Sequence, residues 1–107
     1  MRKREVSLSD VNNDANLEYL YRAFMALDNV DECRYFLGDL CTQAELLEMA
    51  RRLRAAKMLQ ENYPYSEICL QTGLSSATVS RVNRCLKFGH DYGYYTILKR
   101  LQRPKTL

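Results

Sequence analysis

Residues Tyr65 to Leu86 read YSEICLQTGLSSATVSRVNRCL, and the interpretation of the remaining chain hangs on them. The spacing is that of a helix-turn-helix, placed over residues 65–88. Small or apolar residues stand where two short helices must touch: Ile68 and Cys69 on the first, Leu74 at the turn, Val79 and Val82 on the second. Gly73 suits the turn, which needs a left-handed backbone that only a residue without Cβ adopts cheaply. Ser75 can cap the second helix by accepting from an unpaired backbone N–H, and Gly89 is placed to end it.

In a pair of this kind the second helix lies in the major groove with its N-terminal residues at the base edges. Here those residues are short: Ser76, Ala77, Thr78 and Ser80 let the backbone approach, hydroxyls reach bases or phosphates, and methyl groups meet thymine. Arg81, Arg84 and Lys87 recur along the same element, where they neutralise phosphate or, for the arginines, fork onto guanine. Together with Ser66 on the first helix and Ser75 at the cap, these are the expected DNA-contacting residues. The competing interpretation is a solvated basic face on an ordinary helix. It explains the charges, but not their coincidence with the glycine and the apolar set in one window.

Charge supports a polyanionic partner. The chain has 107 residues and a formal charge of +3, but the acids and bases are segregated. Residues 1–50 hold five Lys/Arg and ten Asp/Glu, net −5, whereas residues 51–107 hold eleven and three, net +8. The basic half contains the helix-turn-helix. The length suits one domain, residues 1–107. No apolar run approaches the roughly 20 residues that cross a bilayer and no export leader is visible, so a cytoplasmic protein is expected. The cysteines at 33, 41, 69 and 85 form no Cys-x-x-Cys pair, and His90, the sole histidine, has no partner at ligand spacing. No metal site is expected, and the cysteines read as reduced structural thiols rather than a redox switch.

The remaining segments are helical. Residues 1–14 begin with Arg2, Lys3 and Arg4 and lack periodicity, as a mobile arm would. Leu17, Leu20, Tyr21, Phe24 and Leu27 share one face of a helix over 16–27, capped by Asn13 or Asp14, and Cys33, Phe36, Leu37 and Leu40 repeat the pattern in a second helix opening at Asp31. Thr42-Gln43-Ala44-Glu45 is a capping box. It starts the longest helix, which should run to about Asn62 with Leu46, Met49, Ala50, Leu53, Ala56 and Leu59 buried. Arg51, Arg52, Arg54 and Lys57 fall on or beside its polar side, solvated or functional rather than structural, with Glu48 one turn before Arg52. Pro64 forces this helix to end. A last stripe, Tyr94, Ile97, Leu98 and Leu101, stops before Pro104. Six helices and no strand make an all-α fold. So many apolar stripes in so short a chain are hard to bury in one small globule, and an interleaved homodimer would cover them.

The helix order, FLGDLCTQAEL at Phe36–Leu46 and TGLSSATVSRVNRCLK at Thr72–Lys87 together resemble the Trp repressor superfamily, closest to Trp-repressor-like proteins of the YerC/YecD type. The match covers nearly the whole chain. The resemblance implies a six-helix fold in which two chains intertwine, the first three helices and the last building a common core from which two reading heads project. It also implies an effector site, because in that family two arginines sandwich a bound indole. Arg81 matches one. The other is Arg52 when the alignment runs from Phe36, and Arg51 when it runs back from Arg81 without a gap. Cys85 stands where the family has serine near the ligand's polar end, and Val82 replaces a glycine that leaves room for the indole. Free tryptophan is therefore not the expected effector, and no cofactor is expected.

The function these residues point to is that of a homodimeric, sequence-specific transcriptional regulator binding operator DNA. Repression is the expected mode, since it requires only that a dimer occupy a promoter. A protein-interaction module docking an acidic partner in the transcription machinery is the alternative. Catalysis is not expected, because no nucleophile, base and orienting group cluster, and the tyrosines at 92, 94 and 95 read as core and rim packing.

Overall fold

The computed structural model describes residues 14–88 and 92–103. The basic arm at 2–4, Gly89, His90 and Pro104 lie outside the described residues, as does the suggested cap Asn13. The chain divides into two compact units, one ending at Thr42 and the other starting at Gln43. There is no strand among the described residues, and no helix of the described residues is long and apolar enough to cross a membrane.

The first unit holds α1 (Ala15–Met25) and α2 (Val30–Leu40). Asp14 caps α1 by accepting from the N–H groups of Asn16 and Leu17 at 2.8 and 3.2 Å. Asn29 caps α2 through the Glu32 N–H, and the Glu32 carboxylate reaches back to the Asp28 N–H, a reciprocal arrangement close to a capping box. The helix expected to open at Asp31 thus begins at Val30, with Asn29 as its cap. Phe24 and Phe36 meet edge to face, ring centres 5.9 Å apart. Neither helix contains a fully buried residue. Two helices have one shared seam, and Tyr19, Met25 and Tyr35 stay open to solvent.

The second unit is built on α3 (Gln43–Gln60), with α4 (Tyr65–Thr72), α5 (Ser76–Phe88) and α6 (Gly93–Gln102) packed around it. Its core has two parts. Ala55, Met58, Ile68, Leu74 and Val79 join α3 to the helix-turn-helix, with Leu59 and Cys69 against them. Ala56, Val82 and Leu98 join α3 to α5 and α6, with Leu59, Leu86 and Tyr94 at the edge. Two adjacent alanines on α3 let two helices approach closely on neighbouring faces, which a larger pair would prevent. The end of α3 is set by Asn62, at φ 66°. The N–H of Tyr63 bonds the Met58 carbonyl and that of Asn62 the Leu59 carbonyl, both at 3.1 Å, a left-handed stop for which asparagine is the usual residue after glycine.

The structure corrects the expected burial on α3. Met49 and Leu53 are 45% and 38% exposed and Ala50 is exposed, whereas Ala55 and Met58, outside the expected stripe, are buried with Ala56. Leu46 and Leu59 are half-buried. The helix-turn-helix and α6 pack on the C-terminal end of α3 across two faces, around Ala55, Ala56 and Met58, and within this unit Met49 and Leu53 stay uncovered. On α6, Leu98 is buried while Ile97 and Leu101 remain exposed.

Candidate nucleic-acid interface

The turn between α4 and α5 is built from three residues. Gly73 ends α4 at φ 76°, its N–H bonded to the Cys69 carbonyl at 2.9 Å. A Cβ there would meet nothing within 4 Å, so glycine is demanded by the backbone angle alone. Thr72, buried, donates its hydroxyl to the Ile68 carbonyl at 2.7 Å and accepts from the Leu74 N–H at 3.2 Å. Ser75 caps α5, accepting from the Thr78 N–H at 3.1 Å, and its hydroxyl donates to Thr78 Oγ1 at 3.0 Å. The expected cap is formed, and it engages the Ser75 hydroxyl within the protein.

Turned about its axis at 3.6 residues per turn, α5 presents three sectors. Val79 and Val82 are buried and Leu86 is half-buried. Ser76, Ala77, Ser80, Arg84 and Lys87 are exposed on the opposite side, so the short polar residues and two of the three cations share one open face. Between these lie Thr78, Arg81 and Cys85, which border a cavity. The ion pairs among the described residues join Arg22 to Glu18, Arg34 to Asp31 and Arg52 to Glu48. None engages Arg81, Arg84 or Lys87. Ser66 lies on the first turn of α4 and is also exposed.

The cavity, of about 220 Å³, is lined by Glu48 and Arg52 from α3, Thr78, Arg81, Val82 and Cys85 from α5, and Tyr94 from α6. All three residues expected at an effector site, Arg52, Arg81 and Cys85, therefore meet. Arg51 is not in the lining, so geometry favours the alignment that pairs Arg52 with Arg81. Glu48 holds the Arg52 guanidinium at 3.3 Å, which keeps it over the cavity and partly neutralises it. Val82 is only 3% exposed and belongs to the core. Burial raises the Tyr94 phenol above its ordinary range, Cys85 adds to the shift, and the Arg52 guanidinium opposes it.

Three features escaped the sequence. Arg54, placed among solvated or functional arginines, instead donates to Gln71 at 2.9 Å, and Gln71 donates to Glu67 at 2.6 Å, tying α3 to α4 through side chains 17 residues apart in sequence. Only Glu67 and Gln71, one turn apart on α4, hinted at this. Thr72 carried no signal distinguishing it from an exposed threonine. Tyr94 was legible as part of an apolar stripe but not as a cavity wall. The four cysteines are free thiols, with Cys85 exposed, and no metal-binding cluster occurs among the described residues.

Known proteins share this fold. The sequence model of the family described as Trp repressor protein matches residues 15–102. The chain is 41% identical over 90 residues to the uncharacterized protein YerC of Bacillus subtilis, covering 84% of this chain and 86% of that protein. Among solved structures, a TrpR-like protein from Eubacterium eligens superposes with a TM-score of 0.79 at 39% identity, covering 88% of this chain and 96% of that one. A proposed Trp repressor from Staphylococcus aureus gives 0.80 at 38%, covering 90% and 95%.

Proposed function

Because the chain belongs to the Trp repressor family, a class of helix-turn-helix DNA-binding regulators that are not enzymes, we propose that it is a homodimeric, sequence-specific regulator of transcription, acting as a repressor by occupying operator DNA. The observation that carries this is the open face of α5. Ser76, Ala77 and Ser80 at its N-terminal end are small enough for close approach to base edges, and Arg84 and Lys87 follow on the same exposed face with no carboxylate paired to them among the described residues. Arg81, at the border of that face and the cavity, serves phosphate from one side and the cavity from the other. Ser75 acts through the cap, and Ser66 on α4 lies where the first helix crosses the backbone.

The dimer rests on the apolar surface each unit leaves open, including Tyr21, Phe24 and Leu40 on α1 and α2, and Met49 and Leu53 on α3. A second copy is the partner whose stripes match in chemistry and extent. Regulation of this kind requires no cofactor, and free tryptophan is not the effector, because Val82 fills the space that the family's glycine leaves.

Binding to duplex DNA, followed by fluorescence anisotropy as salt is raised, tests the proposal. Affinity should fall steeply, with a slope of about 0.9 per phosphate contacted. Arg84→Ala should weaken binding and flatten the slope without changing helix content. A flat salt response would contradict the proposal, and an R84A affinity unchanged within twofold would show that the reading face is wrongly placed. Low salt sensitivity with preserved binding to an acidic partner would favour the interaction-module alternative.

A further inference from the structure

Tyr94 is the one residue lining the cavity that comes from neither α3 nor α5. It is the second residue of α6, which the chain enters through Tyr92 in a left-handed conformation at φ 54°. Its ring is half-buried, packed against the cluster of Ala56, Val82 and Leu98. It shares the cavity lining with Arg52 from α3 and Cys85 from α5; burial raises its phenol, Cys85 adds to the rise and Arg52 opposes it. Helices α3 and α5 pack together through Ala56 and Val82, with Tyr94 at the edge of that cluster, and both helices also line the cavity that Tyr94 borders. A rigid aromatic side chain with two rotatable bonds, set between the α3–α5 contact and the cavity both helices line, is suited to act as a wedge between them.

We propose that Tyr94 is the positioning residue of the reading head, a wedge supplied by the chain itself that holds α5 at its DNA-binding angle with no molecule bound in the cavity. Val82 fixes the contact about which α5 would tilt, and the ring of Tyr94 fixes the opening. Arg52, which Glu48 pairs with at 3.3 Å, and Cys85 line the same cavity as Tyr94. This inference rests on the DNA-binding role proposed above, but its primary readout does not require DNA.

The test compares the full-length chain with Tyr94→Phe, Tyr94→Leu and Tyr94→Ala by hydrogen exchange and by affinity for the best duplex the wild type selects from random DNA. Phenylalanine keeps the ring and should match the wild type in both. In Y94A, exchange over 76–88 should accelerate while exchange over α1 and α2 stays unchanged, and DNA affinity should fall about tenfold. Millimolar indole, filling the vacated space as an aromatic ligand fills an engineered cavity, should restore both in Y94A and leave the wild type unchanged. Wild-type exchange over α5 in Y94A, acceleration shared equally by all helices, or a failure of indole to restore α5 would overturn the proposal. If Y94A does not fold, Y94L decides, since leucine keeps apolar bulk on Ala56 and Val82 without the ring. Faster α5 exchange in Y94L supports the wedge, and a wild-type pattern overturns it. Should the wild type select no DNA, the regulatory proposal fails while the exchange result still judges Tyr94.

Discussion

Val82 is the residue on which the proposal that free tryptophan is not the effector rests. A glycine at this point in α5 would leave the reading head loosely packed and the cleft open to a ring. Valine instead joins Ala56 and Leu98 in the core, burying apolar surface worth about 1.5 kcal/mol or more. Calorimetric titration with L-tryptophan should therefore show no micromolar binding. Val82→Gly should cost about 2–4 kcal/mol, combining lost burial with the helix penalty of glycine, read as a lower denaturant midpoint. Micromolar tryptophan binding by the wild type would show that the cavity accepts the ring despite Val82. The sequence exposed Val82 as a core residue because its neighbours repeat at helical spacing. It could not expose Glu48 or Tyr94 as walls of the same cavity, since those come from other helices and only the packing of three elements brings them together.

Among the elements, the helix-turn-helix was the most legible part of the chain. A glycine, a cap and an apolar set within 24 residues leave few alternatives, and Ile68, Leu74, Val79 and Val82 are all buried as that pattern requires. Gly73 provides a clean test, because a Cβ added there would find open space, with no atom within 4 Å. Gly73→Ala should cost about 1 kcal/mol from the left-handed backbone alone, seen as a small drop in thermal midpoint with helix content retained. A loss several times larger would mean that the turn is constrained by more than its φ angle. The longest helix was less legible. Periodicity identifies a face, but it does not say which neighbour covers it. On α3 the expected stripe ran from Leu46 through Met49 and Leu53 to Ala56 and Leu59; of these Ala56 is buried, and the neighbouring helices settled on it together with Ala55 and Met58, outside that stripe.

For the molecule as a whole, the exposed stripes and the segregated charge are the features that support the proposed second copy and the proposed DNA partner. Met25 at 85% and Tyr35 at 72% exposure extend surface that a monomer of this size gains nothing by presenting to water. Sedimentation at micromolar concentration should give a species of two-chain mass. A monodisperse one-chain species with a cooperative melt would remove the dimer. In the proposed dimer the same symmetry would govern recognition, since two reading heads related by a twofold axis require two half-sites related by the same axis. Selection of bound duplexes from a random DNA pool is the decisive experiment for a homodimeric reader of this kind. It should return a palindromic consensus with half-site centres about one helical turn apart, lost when Arg84 is replaced by alanine; a pool that stays random after repeated selection would contradict sequence-specific reading by α5.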